Sequence, residues 1–356
     1  MSSPLRITHA HGDRITVTEE RGGIDLISYV YRPEAAWEAP KPYIHPMRTL
    51  ADNVVTDYRP NDHRWHKGLQ MTASHLSGQN LWGGNTYVHG QDYQPLPERV
   101  GSMAHIGFDE VTAEAGRAVI AERLSWRHHD GTHWADELRR VELHDVEHTG
   151  SVNGPGSGPG SGTTGPETGG TGPGTGGTGP GTGGTGPGTG GTGPGTGGSW
   201  TLTWSSAITN RRTEPLRFGS PTTHGRKAAG YTGLFWRGPR AFRGGRILGP
   251  DGEGPELMGT QAPWLAYSGE HDGTDGHATL IFQHAPENDH TGAGGTHPAH
   301  WFVRDEPFAA VAPSFAFHEE LELAPGDTLA RRYRITVADG EWDRDRITEH
   351  LARHPW

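Results

Sequence analysis

The chain of 356 residues contains no cysteine. Disulfides, thiolate nucleophiles, iron–sulfur clusters and cysteine-type zinc sites are therefore excluded. Lysine is nearly missing as well: apart from Lys41, Lys67 and Lys227, the 31 basic residues are arginines. The formal net charge is −11 with histidine neutral. A nucleic-acid partner would call for a basic face, so none is expected. The opening MSSPLRITHAHGDRITV lacks an apolar signal core, and no apolar run approaches bilayer length. No membrane association is expected, and the simplest placement is a soluble, cytoplasmic one. Helical periodicity is scarce, its clearest instance being Trp342–His354 near the end.

Hydrophobic content is only 31%, but 12 tryptophans offset this, because each buried indole removes a large apolar area from water. Glycine is abundant, and much of it falls in residues 150–199, where TGPGTGG repeats four times between Thr171 and Gly198. That repeat has no apolar position and lacks glycine at every third residue, so it is neither coiled coil nor collagen and should be disordered. The flanks ELRRVELHDVEH and SWTLTWSSAITN both alternate with period two. An antiparallel hairpin with an expanded tip accounts for this, since loop-closure cost rises slowly with length. Residues 1–356 then form a single domain interrupted by the insert. A linker between two domains is the alternative, and each half alone looks short of strands.

Further strands are expected at Arg14–Glu19, Ile24–Tyr31, Ala118–Arg127, Thr279–His284, Phe308–Leu323 and Thr328–Val337. LAPGDTL reads as a type II turn, with Pro325 second and Gly326 third. Short strands separated by Gly, Pro and Asp turns imply an all-β sandwich or barrel.

The densest chemistry lies in KPYIHPMRTLADNVVTDYRPNDHRWHKGLQM, Lys41 to Met71. His45, His63 and His66 share this segment with Arg48, Asp62 and several aromatics, a mixture suited to a polar small molecule. His63 and His66 are three apart, and Pro60-Asn61 before them favours a turn that brings the rings together. The pair suits general acid–base work near neutral pH. A divalent metal on His45, His63 and His66 is the variant reading, and buried structural histidines are the plainer one. In PTTHGRKAAGYTGLFWRG, Tyr231, Phe235 and Trp236 offer ring faces to a sugar, Arg226 and Arg237 offer planar donors, and His224 joins Arg48 and Arg237 as orienting groups. An aromatic-rich loop without a ligand explains the same residues equally well. Asn85, in NLWGGNTY, adds an amide suited to hydroxyls. In FAFHEEL, strand alternation sets Phe315, Phe317, Glu319 and Leu321 on one face, opposite His318. Glu319 buried there would gain a raised pKa fit for proton transfer. A shift of one residue in register would leave it in water.

HPMRTLADNVVTDYRPNDHRWHKGLQM, NLWGGNTYV, GLFWRGPRAF and WFVRDEPFAAVAPSFAFHEELELAPGD resemble the bacterial family labelled "methane oxygenase PmoA" over nearly the whole chain apart from the insert. The resemblance implies a large antiparallel β-sandwich (supersandwich) of galactose-mutarotase type with a short C-terminal helix, and a carbohydrate ligand. A membrane-embedded copper oxygenase is not expected of a chain without a spanning segment. Two functions follow as expectations. One is a non-redox acid–base enzyme on a sugar or sugar derivative, of epimerase, mutarotase, lyase or hydrolase type. It would use His63, His66 and Glu319 for proton transfer, and His45, Arg48, Asp62, Asn85, His224, Arg226, Tyr231, Trp236, Arg237 and His318 for binding. It requires no cofactor, with a divalent metal as an option. The other is a non-catalytic carbohydrate-binding or sensing module.

Overall fold

A computed structural model describes residues 3–148, 197–289 and 297–356. Its architecture is an all-β sandwich. The first sheet has eight strands in the order Leu5–Ala10, Arg14–Glu19, Ile24–Val30, Tyr43–Met47, Leu69–Thr72, Gly233–Arg237, Ala310–Ser314, His300–Arg304. The second runs Arg246–Leu248, Trp264–Glu270, His277–His284, Thr328–Asp339, Gly198–Asn210, His133–His148, Arg117–Arg127, Ser102–Glu114. Neighbouring strands pair antiparallel throughout both sheets. A three-stranded sheet (Leu321–Leu323, Leu216–Gly219, His75–Leu76) and a small hairpin (Thr86–Val88 with Asp92–Gln94) complete the β structure.

The main core lies between the two large sheets. Ile15, Val17, Ile27, Met47, Leu69 and Trp236 of the first meet Ile120, Trp126, Val141, Trp200, Leu202 and Trp204 of the second. The tryptophans thus carry much of the apolar burial that the low hydrophobic content leaves to few residues. Period-two alternation sends the intervening side chains to the other face of the first sheet. There Phe235, Phe302, Ala310 and Ala312 form a second cluster with Trp82, Tyr231 and Phe317 from covering loops.

The strands flanking the insert pair as a hairpin, from Ala135↔Asn210 out to His148↔Gly198. Most of the insert expected at 150–199 lies outside the described residues. Gly326 has φ +82° and Asp327 N donates to Ala324 O at 3.1 Å, as the type II turn requires. The single strand expected over Phe308–Leu323 is instead two, Ala310–Ser314 and Leu321–Leu323, in different sheets. The chain turns between them, and the alternation inferred for Phe315–Glu319 does not apply. The C-terminal helix, Arg344–Arg353, is capped by Asp343, whose side chain accepts from Arg346 N, and it buries Ile347 and His350. Among the described residues no helix is long and apolar enough to cross a membrane.

Candidate functional site

A cavity of about 370 Å³ opens on the outer face of the first sheet, away from the main core. Its floor is made by Phe235 and Phe302, the outward members of their strands. Four loops build the walls and bring His63, Trp65 and His66, then Trp82 and Asn85 with Tyr93, then Arg226 and Tyr231, and finally Pro307 and Phe308; Arg304 closes the rim from a strand end.

The histidine loop is held from outside the cavity. Glu38, buried, accepts from Arg59 Nη2 at 2.6 Å and from Lys67 Nζ at 2.7 Å, so one carboxylate ties both ends of residues 59–67. Inside, His63 N donates to Pro60 O and His66 N to His63 O, both at 2.9 Å. These successive turns turn two residues three apart toward each other, and the His63 and His66 ring centroids are 4.8 Å apart.

Their environments differ. His66 is 2% exposed and enclosed by Trp82, Phe235 and Phe308. Burial holds its pKa well below the usual imidazole value, with His63, Arg237 and Lys41 adding in the same direction. Arg237 Nη1 lies 3.3 Å from His66 Nδ1. A guanidinium only donates, so Nδ1 accepts and the ring proton of neutral His66 sits on Nε2. His63 is partly open. Burial lowers its pKa, Arg237 and Arg304 add to the lowering, and Asp62 opposes it. Asp62 Oδ2 stands 3.2 Å from His63 Nδ1, an ion-pair separation that is not aligned as a hydrogen bond.

Across the cavity the hydroxyls of Tyr93 and Tyr231 meet at 2.6 Å, and Arg226 Nη1 donates to Tyr93. Burial raises the pKa of both phenols, so both keep their protons. Trp82 packs on Tyr231 and Phe235 with centroids 4.3 and 4.5 Å away. Among the described residues, no aspartate or glutamate lines the cavity.

Of the residues singled out in the sequence, the fold brings His63, His66, Asn85, Arg226 and Tyr231 to the cavity, with Asp62 beside His63. Arg237 is 2% exposed and lies behind His66, its guanidinium 3.9 Å from the Phe308 centroid; it supports an imidazole from below the lining. The others sit elsewhere. His45 stacks on Tyr58 and bonds Thr56 Oγ1 at 2.9 Å, and burial lowers its pKa to about 4. It is therefore not gathered with His63 and His66 as the three-histidine metal reading required. Arg48 donates to Asp52 at 3.1 Å, and its carbonyl takes Trp200 Nε1 at 2.9 Å. His224 stacks on His75 at 4.0 Å and bonds the Ser220 carbonyl. Trp236 has the opposite strand parity from Phe235 and is fully buried in the main core, donating to Val55 O at 2.8 Å. His318 and Glu319 are exposed and line a separate hollow of about 250 Å³ with His297, Pro298, His300 and Phe317. The turn after Ser314 leaves Glu319 in water rather than in an apolar face.

Sequence reasoning passed over Phe308 and Tyr93; Phe235, Trp82, Phe302 and Arg304 stood in segments it singled out but were not named among the binding residues. Phe302 and Arg304 carried a readable signal, because HWFVR alternates; what was missing was which parity faces outward. Among the described residues, the grouping of three side chains whose ligand atoms lie within 4.8 Å of one another is Glu147, His350 and His354, outside this cavity.

Comparison with solved structures finds weak likenesses. An α-galactosidase from Lactobacillus brevis matches at 9% identity and TM-score 0.39, over 98% of this chain and 42% of that one. An α-galactosidase from Geobacillus stearothermophilus in complex with raffinose matches at 10% identity and TM-score 0.34, over 95% of this chain and 41% of that one. A candidate aldose 1-epimerase from Klebsiella pneumoniae matches at 9% identity and TM-score 0.33, over 99% of this chain and 83% of that one. The chain thus spans less than half the length of either galactosidase. With scores this low, the cavity is read from its own residues. No curated protein matches. The resemblance to the family labelled methane oxygenase finds no counterpart in the matching family model. That model covers residues 16–152 and 191–352, and the chain belongs to the family it describes, a family of unknown function, DUF6807.

Proposed function

We propose that residues 1–356 form one sandwich domain that acts as a non-redox acid–base enzyme on a sugar or sugar derivative, of the isomerase or epimerase type. One observation carries this reading. Two neutral imidazoles 4.8 Å apart share one wall of an aromatic cavity, and their surroundings favour opposite proton placements. Asp62 favours a proton on His63 Nδ1, which leaves Nε2 as a base. Arg237 favours a proton on His66 Nε2, which makes that atom a donor.

In this scheme a sugar carbonyl oxygen accepts from His66 Nε2. His63 Nε2 removes the proton from the adjacent carbon, and the electron pair moves onto the oxygen as an enolate. His66 stabilises that charge as it forms, and burial keeps this donor from competing as a base. Return of the proton from His63 to the former carbonyl carbon, with the hydroxyl proton of the adjacent carbon passing to the former carbonyl oxygen, gives the isomer; turnover of the enolate in the cavity before the proton returns to its original carbon gives the epimer. Trp82, Tyr231 and Phe235 supply apolar ring faces, and the tyrosine hydroxyls and Asn85 supply polar contacts. Hydrolysis by paired carboxylates is less well supported, because among the described residues no carboxylate lines the cavity.

The test is solvent exchange. The protein is incubated with a panel of aldoses, ketoses and sugar acids in deuterium oxide, and loss of the C–H signal next to the carbonyl is followed by NMR. Exchange with at least one sugar is expected, falling about 10²–10⁴-fold in His63→Asn and His66→Gln. Sugar binding without exchange, flat from pH 5 to 8 and unchanged in both variants, would establish a binding module instead. Exchange that vanishes on chelation and returns with a divalent cation would reassign the two imidazoles as metal ligands.

A further inference from the structure

The proposed reaction leaves Arg226 and Arg304 without a task. Both line the cavity. They lie close enough that Arg226 contributes to lowering the pKa of Arg304, after burial, which is the larger cause. Arg304 also reaches far enough toward the catalytic wall to act on His63.

Their partners are few. Arg226 Nη1 donates to the Tyr93 hydroxyl, and its guanidinium stands 4.7 Å from that ring's centroid. Arg304 Nη2 donates to Ala228 O at 3.4 Å, a long bond. Among the described residues neither has a carboxylate within 4.0 Å, although Arg59, Arg117, Arg139, Arg140, Arg211 and Arg243 each do. Each guanidinium carries five N–H donors, and most of these are left unused. Two like charges lining one partly buried hollow, with no carboxylate in its lining among the described residues, repel each other. That arrangement is costly unless an anion enters between them. The protein as a whole is acidic, and this cavity is a local reversal of its sign.

We propose that Arg226 and Arg304, with the Tyr93 hydroxyl, form an anion subsite that holds the carboxylate or phosphate of a sugar-derived substrate. The subsite fixes the register of the ring between the aromatic faces and presents the reacting carbon to His63. The planar fork of each guanidinium matches either oxyanion bidentately. This inference rests on the carbohydrate reading above.

The test measures binding to the full chain by calorimetry and thermal shift. The probes are glucuronate and galacturonate, glucose 6-phosphate, the matching neutral hexoses, and acetate and inorganic phosphate alone. At least one charged sugar is expected to bind 10-fold or more tighter than its neutral counterpart, with an advantage that shrinks between 50 and 300 mM salt. The uronate and phosphate arms separate a carboxylate ligand from a phosphate one. Arg226→Gln and Arg304→Gln should each cost the charged sugar 10- to 100-fold, a loss clearly larger than any on the matching neutral hexose. Arg304→Lys should restore part of the loss, which an unfolded variant could not show. Neutral sugars that bind as well as charged ones, or a charge preference that survives both Gln substitutions, would overturn the subsite. Arginine-dependent binding of acetate or phosphate with no sugar bound at all would sustain the subsite and overturn the carbohydrate reading. Absence of any binding would overturn both.

Discussion

Burial acts unequally on the two imidazoles of the cavity, and their division of labour follows from that. His66 is enclosed and has its Nδ1 occupied by Arg237, so only Nε2–H is available for chemistry. His63 is part-exposed and faces a carboxylate on one side only. The proposed reaction needs its basic form, and burial places its pKa below the usual imidazole value. The exchange rate should therefore be flat at neutral pH and fall on the acid side. Asp62 favours the protonated ring, so Asp62→Asn should lower this pKa further and move the acid limb to lower pH. A pH–rate profile of the variant checks this, and a limb that moves upward would contradict the assignment. His63, His66, Arg226, Tyr231 and Asn85 were legible in the sequence, because local spacing and Gly-rich loops mark where polar groups can converge. Phe235 and Trp236 both read as ring faces and only Phe235 lines the cavity, because a lone strand reveals that its residues alternate but not which set faces a ligand. Tyr93 gave no local signal; only the tertiary fold brings it to Tyr231.

At the scale of elements, the NLWGGNTY loop shows how little freedom the cavity wall has. Asn80 Oδ1 accepts from Trp82 N and Gly83 N, both at 2.9 Å, and its amide donates to Thr86 Oγ1 at 3.1 Å. Gly84 has φ +64°, and a Cβ there would stand 2.5 Å from the Trp65 ring. Gly84→Ala should therefore cost about 1–3 kcal/mol from backbone strain, plus displacement of Trp65. A lowered denaturant midpoint with altered tryptophan fluorescence is the expected result. Neighbouring residues of the strand Gly233–Arg237 should respond in opposite ways. Trp236→Ala removes a core side chain and should lose about 3–5 kcal/mol. Phe235→Leu keeps an apolar side chain on the cavity floor, costs less than about 1.5 kcal/mol if the site repacks, and should weaken sugar binding. Denaturant titration set beside calorimetry separates the two effects. Strand existence was readable from period-two patterns, and the end of the sheet region was misjudged for a physical reason. Apolar residues in a buried turn, Phe315 and Phe317, look in sequence like strand positions facing a core.

For the molecule as a whole, histidine sets the acid limit of stability. His66, His75 and His350 are buried, and burial lowers each pKa: that of His75 to about 3, that of His350 to about 4, and that of His66 well below the ordinary value. A depressed folded-state pKa means that the unfolded chain takes up the proton first as pH falls. The stabilisation is complete above about pH 6.5 and is lost progressively below it. Each group contributes up to about 1.4 kcal/mol per pH unit in that window, so three give at most about 4 kcal/mol per unit. Between pH 6.5 and 5 that amounts to at most about 6 kcal/mol, a large part of a usual net stability of about 5–15 kcal/mol. Urea midpoints measured from pH 8 to 5 should hold level to about 6.5 and then drop, whereas carboxylate titration would act only at lower pH. A midpoint level down to pH 5 would show that these rings protonate in place.

The first sheet is a partition wall with a different tenant on each side. Odd and even positions along Gly233–Arg237 and His300–Arg304 answer to separate demands, one set packing the main core and the other facing the cavity proposed to take the ligand. Ligand preference can therefore be rewritten at every second residue, at Phe235, Phe302 and Arg304, while the intervening residues keep the scaffold unchanged.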